Sequence, residues 1–230
     1  MKQYSALIFD LDGTLIDSAP DIAAAVNVYM RSNGWRNLEV DYVERFIGNG
    51  PRRLLLDIFI DKGLPSDETT VDAAVKSYID NYKREPANLT QFFPHVREDL
   101  RALHAAGIRL GICTNKPHSL TQQILTILGL DSVIEVALGA DAVPACKPDP
   151  RHLLAVAERM GLAEGSWAYV GDSNVDKATA GAIGAPFFVV PWGTGSSVEV
   201  APEQRLARIS DLLAYAMQAA QPLSAGGNIA

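Results

Sequence analysis

The sequence predicts an α/β protein, a doubly wound parallel sheet with a second, all-helical cap inserted into it. Two observations carry that prediction. Over the second half of the chain, short apolar runs rich in β-branched and aromatic residues alternate with helical stretches of about ten to fourteen residues, the pattern of βαβ units whose sheet is covered on both faces. One further run of the same kind, Ala6-Leu7-Ile8-Phe9, stands near the N-terminus, cut off from the others by about seventy positions of helical pattern without a strand signal.

Taken in order, Ala6 to Phe9 reads as a buried strand that ends on Asp10-Leu11-Asp12-Gly13-Thr14. Ser18 and Pro20 suit the cap and first turn of a helix running through Ile22 and Val26 to Met30, and Gly34 suits its end. Tyr42 to Ile47 follows, then the break Gly48-Asn49-Gly50-Pro51, a strongly apolar helix around Leu54 to Phe59, and another from about Asp67 to Arg84. Strands return at Ile108 to Cys113, Val133 to Leu138, Trp167 to Val170 and Phe187 to Val190, with helices near 95–106, 117–128, 149–160 and 174–183. Gly107, Gly129, Gly161 and Gly184 stand where helices end.

The simplest organisation is a core built from 1–16 and 88–218 with 17–87 as the cap, joined by a two-strand hinge at Asp17 and Ser18 on one side and Pro86-Ala87-Asn88 on the other. Residues 219–230 are small and polar and are expected to form a poorly ordered tail.

Composition narrows the function classes. With 48% hydrophobic residues in 230, the chain can bury a proper core. A net charge of −7 argues against a nucleic-acid partner, because phosphate backbones reward clustered Lys and Arg. Four apolar residues before Asp10 are too few for a signal-peptide core, and no segment approaches the roughly 20 apolar residues of a membrane span. Cys113 and Cys146 are the only cysteines and lie in no metal-ligand spacing. The expectation is a cytoplasmic monomer or homodimer acting on a small molecule, with no membrane partner.

Four strand ends carry the chemistry. Asp10 and Asp12 put two carboxylates two residues apart at the tip of a buried strand, where parallel α/β sheets bind ligands. Two anions held that close need a compensating cation, and oxygen ligands favour Mg²⁺. Thr114-Asn115-Lys116-Pro117 follows the second core strand and precedes a helix whose first turn offers N–H groups to an anion. Cys146-Lys147-Pro148-Asp149-Pro150 places a lysine ahead of a helix capped by Asp149. Gly171-Asp172-Ser173-Asn174-Val175-Asp176 adds two acids, on one face if the segment enters a helix directly. Singly, each reads as turn chemistry or a solvated charge; jointly, a cation among several anions makes sense around a metal and a phosphate.

In this combination and order the sequence resembles the haloacid dehalogenase superfamily of phosphotransferases, in its phosphoglycolate phosphatase-like branch, over essentially the whole chain. A second acid at Asp12 resembles the phosphatases and departs from true dehalogenases. The resemblance implies that Asp10 attacks phosphorus, that Asp12 is the acid and base, and that Asp10, the Asp12 carbonyl and Asp172 hold Mg²⁺ with Asp176 supporting. It implies further that Thr114, the Asn115 amide and Lys147 stabilise the phosphoryl oxygens, Lys147 rather than Lys116 neutralising the phosphate. The loop Gly48-Asn49-Gly50-Pro51-Arg52-Arg53 resembles the cap loop of phosphoglycolate phosphatases, so Gly48, Asn49 and Arg52 are candidates for recognising the carboxylate of 2-phosphoglycolate. Solvated arginines in a helix connection, a sugar-phosphate phosphatase or mutase, and a phosphate- or metal-sensing module remain open alternatives. A dinucleotide-binding oxidoreductase lacks its glycine fingerprint at residues 10–15. His118 is the histidine nearest the expected site, and Trp192-Gly193-Thr194-Gly195-Ser196-Ser197 reads as a connector lining its rim.

Overall fold

The structure, a computed structural model, describes residues 4–215. Ala6–Phe9 (β1), Arg109–Cys113 (β4), Ile134–Leu138 (β5), Trp167–Gly171 (β6) and Phe187–Val189 (β7) form one parallel sheet in the order β5-β4-β1-β6-β7. The run separated from its partners by the helical stretch is therefore the central strand, with Phe9 level with Ile112 on one side and Val170 on the other. Successive residues of β1 feed opposite faces. Leu7 and Phe9 join one apolar cluster with Leu100, Leu110 and Ile124, whereas Ala6 and Ile8 join a second with Leu153, Val156 and Tyr169. Each large side chain buried in these clusters contributes about 1.5–3 kcal/mol.

Val96–Ala105 (α5), His118–Leu128 (α6), Pro150–Arg159 (α7) and Asn174–Gly181 (α8) flank the sheet. Ala19–Ser32 (α1), Val40–Glu44 (α2), Gly50–Asp61 (α3) and Glu68–Tyr82 (α4) make up the helical insertion. Its own core is aromatic: the Trp35 ring meets Phe59 edge-on at 5.6 Å and Tyr29 stacks on Phe59 at 6.0 Å. Asn27 ties the chain after α1 back to the helix, its amide group exchanging two hydrogen bonds with the backbone of Leu38 at 2.8 and 2.9 Å.

The two crossings between core and insertion differ from expectation on one side. Ile16–Asp17 (β2) pairs antiparallel with Gln91–Phe92 (β3), a few residues beyond Pro86-Ala87-Asn88. Asp21, buried in the first turn of α1, accepts from the amides of Leu89 and Thr90 and from the Thr90 hydroxyl at 2.6–3.0 Å. That clamp holds the return segment against α1, and pairing begins past it. No described helix is long and apolar enough to cross a membrane. The predicted tail, 219–230, lies outside the described residues, as do 216–218.

Candidate active site

A parallel sheet delivers all its strand ends to one edge, and the charged residues after β1, β4 and β6 meet there. Asp10 follows β1, its amide donating to Val170 O at 2.9 Å. Thr114, Asn115 and Lys116 follow β4, and Lys147 arrives from the stretch after β5 that Asp149 caps into α7. Asp172 follows β6, and all these side chains are buried.

Lys147 Nζ lies 2.8 Å from Asp10 Oδ1 and 2.7 Å from Asp176 Oδ1. The contact to Asp10 is an ion pair without hydrogen-bond alignment, which leaves that buried oxygen unpartnered. Lys147 also donates to the hydroxyl of Tyr169 at 3.0 Å, and that hydroxyl donates to Asp176 at 2.7 Å. Burial alone would lower the Lys147 ammonium, but Asp10 and Asp176 outweigh it and hold the group protonated.

The prediction that Asp172 and Asp176 share a helix face meets a different arrangement. Ser173 is the N-cap of α8, so Asp172 stays outside the helix while Asp176 closes a capping box with Ser173. Both oxygens of Asp176 are spent, Oδ1 on Lys147 and Tyr169 and Oδ2 on the amide and hydroxyl of Ser173. Asp172 is held from two other directions: Oδ1 accepts from the Thr14 hydroxyl at 3.0 Å, and Oδ2 accepts from the amide and hydroxyl of Thr194, each at 2.9 Å. Gly13 and Gly193 close on this carboxylate, both at positive φ; a Cβ there would fall 2.7 and 2.6 Å from Asp172 Oδ2.

Oxygens of Asp10, Asp172 and Asp176 lie within 4.8 Å of one another. Burial pushes the Asp10 carboxyl up to about 8, against the pull of Lys147 and with Asp176 and Asp172 adding to the rise. Burial and then Asp176 push Asp172 up to about 6, opposed by Thr194 and Thr14. Asp176 stays below the usual range, because Lys147 and its hydrogen bonds overcome its burial. Three carboxylates around one ammonium leave a charge deficit that a hard divalent cation fits, with Asp10 and Asp172 the two that still have free acceptor capacity.

Asp12 has separate company. Lys116 Nζ lies 2.9 and 3.2 Å from its two oxygens, and the Ser18 hydroxyl donates to Oδ1 at 2.5 Å. Lys116 also donates to the Tyr82 hydroxyl on α4 at 2.8 Å. Asn115 joins core to insertion, its Nδ2 donating to the carbonyls of Gly48 and Lys147, each at 2.9 Å. Two small adjoining lobes open between sheet and helices. One, about 30 Å³, is lined by Asp10, Asp12, Thr114 and Lys116 together with Ile22, Ile47, Leu54 and Tyr78; the other is bounded by Asp172 and Thr194.

The arginines of the break lie elsewhere. Gly50, at φ +80°, starts α3 with Pro51 in its first turn, so Arg52 and Arg53 are helical rather than in a loop. Arg52 pairs with Asp72 on the surface and Arg53 with Asp57; neither lines either lobe, nor does Asn49, the residue before α3, whereas Gly48 lines both. His118 belongs to a separate groove beside β5, its amide donating to Asp141. Sequence reasoning missed Tyr169 and Tyr82 as site residues, and gave Thr194 a place on the rim without its hydrogen bonds to Asp172. A tyrosine inside a fully buried strand, whose hydroxyl must find a partner, was the available signal for Tyr169.

Comparison with known proteins agrees with this geometry. Residues 7–190 match the family model described as haloacid dehalogenase-like hydrolase. A phosphoglycolate phosphatase of Cereibacter sphaeroides is 40% identical over 187 residues, 81% of this chain and 85% of the relative. One of Caulobacter vibrioides is 36% identical over 189 residues, 82% and 80% of the two chains. A crystal structure described as a predicted phosphoglycolate phosphatase from Haemophilus somnus superposes with a TM-score of 0.82 at 28% identity, over 93% of this chain and 98% of that one. With the strand-end acids, the buried lysine and the helical insertion arranged as described, the chain belongs to the haloacid dehalogenase-like hydrolase family.

Proposed function

We propose that this chain is a Mg²⁺-dependent phosphomonoesterase working through an aspartyl-phosphate intermediate, with 2-phosphoglycolate as its substrate. The observation that carries the reading is the unlike treatment of two neighbouring carboxylates. Asp10 lies against Lys147 and Asp172, with the Lys147 ammonium 2.8 Å from Oδ1, whereas Asp12 is held aside by Lys116 and Ser18. Such a division suits a nucleophile and a separate proton carrier.

In the first step an Asp10 oxygen forms a bond to phosphorus, the ester P–O bond breaks, and the Asp12 carboxyl gives its proton to the departing oxygen. In the second, water bonds to phosphorus, Asp12 takes the water's proton, and the acyl-phosphate bond breaks to return Asp10 and release phosphate. Thr114, the Asn115 amide and Lys147 cradle the phosphoryl oxygens as their charge redistributes. Asp10, the Asp12 carbonyl and Asp172 would hold Mg²⁺, with Asp176 fixing Lys147 behind them; when bound, the ion supplies charge neutralisation at the transferring group. The helical insertion closes over the lobe and keeps out competing water.

The relatives named phosphoglycolate phosphatase support the choice of substrate. The net charge and the two unpaired cysteines support a cytoplasmic enzyme of small phosphorylated metabolites rather than of nucleic acid. A panel of phosphate esters, p-nitrophenyl phosphate included, assayed with Mg²⁺ and with chelator tests the reading, with Asp10→Asn as control. Metal-dependent turnover that is highest for 2-phosphoglycolate and lost in Asp10→Asn is expected. Absence of turnover for every ester would reject it in favour of a binding module.

A further inference from the structure

A substrate that carries a carboxylate needs a cation to receive it, and the arginines of α3 are turned to the surface. Among the described residues, Lys116 is the one cation lining the apolar lobe. Its ammonium has three donors. They are directed at the two oxygens of Asp12 and at the Tyr82 hydroxyl, and the longest of these contacts, 3.2 Å to Asp12 Oδ2, is the one that a ligand in the lobe would take over. Its side chain is 1% exposed, so the charge acts in a poorly screened environment where an incoming anion is felt strongly.

We infer that Lys116 reads the substrate's carboxylate, so that the site selects phosphoric monoesters of 2-hydroxy acids; this rests on the phosphatase reading above.

The spacing supports that class. Asp12 must reach the bridging ester oxygen to protonate it. Lys116 Nζ stands 2.9 Å from Asp12 Oδ1. In a 2-hydroxy acid ester, standard bond lengths put a carboxylate oxygen about 3 Å from the bridging oxygen. The two protein groups and the two substrate groups therefore match pairwise. A carboxylate one carbon further along loses that match of spacing, and Ile22, Ile47 and Leu54, which also line the lobe, offer it no hydrogen bond. Sugar hydroxyls would be stranded against the same apolar wall without partners. Tyr82 reaches Lys116 from α4, so the receiving ammonium is fully held only when the helical insertion is seated on the core.

The test compares kcat/KM for 2-phosphoglycolate with that for 2-hydroxyethyl phosphate, which is alike except that an alcohol replaces the carboxylate. Wild type is expected to prefer 2-phosphoglycolate by about 10- to 100-fold, the range a charge-assisted hydrogen bond supplies. Lys116→Gln should bring the ratio to near unity while lowering both values, since Asp12 also loses a partner. Lys116→Arg should restore part of the preference, and Arg52→Ala should leave it unchanged. Retention of the preference in Lys116→Gln, or its loss in Arg52→Ala, would overturn the inference. Should Lys116→Gln fail to fold by thermal melt, wild type alone decides: 2-phospholactate should be accepted and 3-phosphoglycerate refused, and the reverse order is contrary. Failure of the phosphatase reading itself is distinct, since p-nitrophenyl phosphate would then also go unhydrolysed.

Discussion

Thr194 holds Asp172 through two groups: its amide donates to Oδ2 at 2.9 Å, and its hydroxyl proton is shared between Oδ2 at 2.9 Å and the Asp172 carbonyl at 2.8 Å. The loop after β7, which lines the lobe as the sequence suggested, is thereby also a support for the Asp172 carboxylate. Thr194→Val keeps the amide bond and removes the hydroxyl. Loss of such an orienting partner costs about 10-fold or more in metal affinity. The half-saturating Mg²⁺ concentration for activity should rise by about that factor, with a smaller change in substrate KM; an unchanged Mg²⁺ requirement would contradict the assignment.

Asp172→Asn removes one anion from a buried cluster in which burial and Asp176 already raise the carboxyl to about 6. A carboxyl raised in the fold contributes most below its unfolded value and costs stability as pH climbs through 6, so at neutral pH the charged form is a burden. The metal-free variant should be about 1–3 kcal/mol more stable than metal-free wild type by urea denaturation at pH 7.5. Addition of Mg²⁺ should raise Tm in wild type and leave the variant unmoved. A less stable variant that still gains Tm from Mg²⁺ is the contrary result.

His152 gives a pH dependence away from the chemistry. It is buried on α7, its Nε2 hydrogen-bonded to Leu138 O at 3.1 Å, and Nδ1 has no partner. Burial, and then the charge of Lys147, lower it from 6.5 to about 4. The fold accepts only the neutral ring, so this stability is complete above pH 6.5 and is lost as pH falls from there toward 4, at up to about 1.4 kcal/mol per pH unit. His152→Gln keeps a donor for Leu138 and should show a shallower loss of urea midpoint between pH 7 and 5. Parallel profiles in the two proteins would show that another group carries the acid sensitivity.

How much of this was legible in the chain follows from the range over which each signal acts. The strand and helix pattern, the central place of motif residues at strand tips and the capping of α7 by Asp149 are local, and periodicity or cap chemistry exposes them. The hinge strands are two residues each, too short for any period, and their register is set by Asp21 gripping a segment 68 positions away. Lys116 reads as one more lysine in a turn until folding brings it to Asp12, 104 positions distant. Arg52 and Arg53 were misplaced because Gly50-Pro51 reads equally as a loop or as a helix start, and the helix start prevails. Thr194 lies in a loop of small residues whose meaning comes only from the carboxylate it faces.

Turnover by this route requires Asp10 to become covalently bound to the phosphoryl group. Borohydride added during steady-state turnover of 2-phosphoglycolate with Mg²⁺ reduces an acyl phosphate to the alcohol, which peptide mass spectrometry can place. Conversion of Asp10 to homoserine, dependent on substrate and metal, is the predicted result. Sustained turnover with residue 10 unmodified, or with the modification at Asp12 or Asp172, would contradict it.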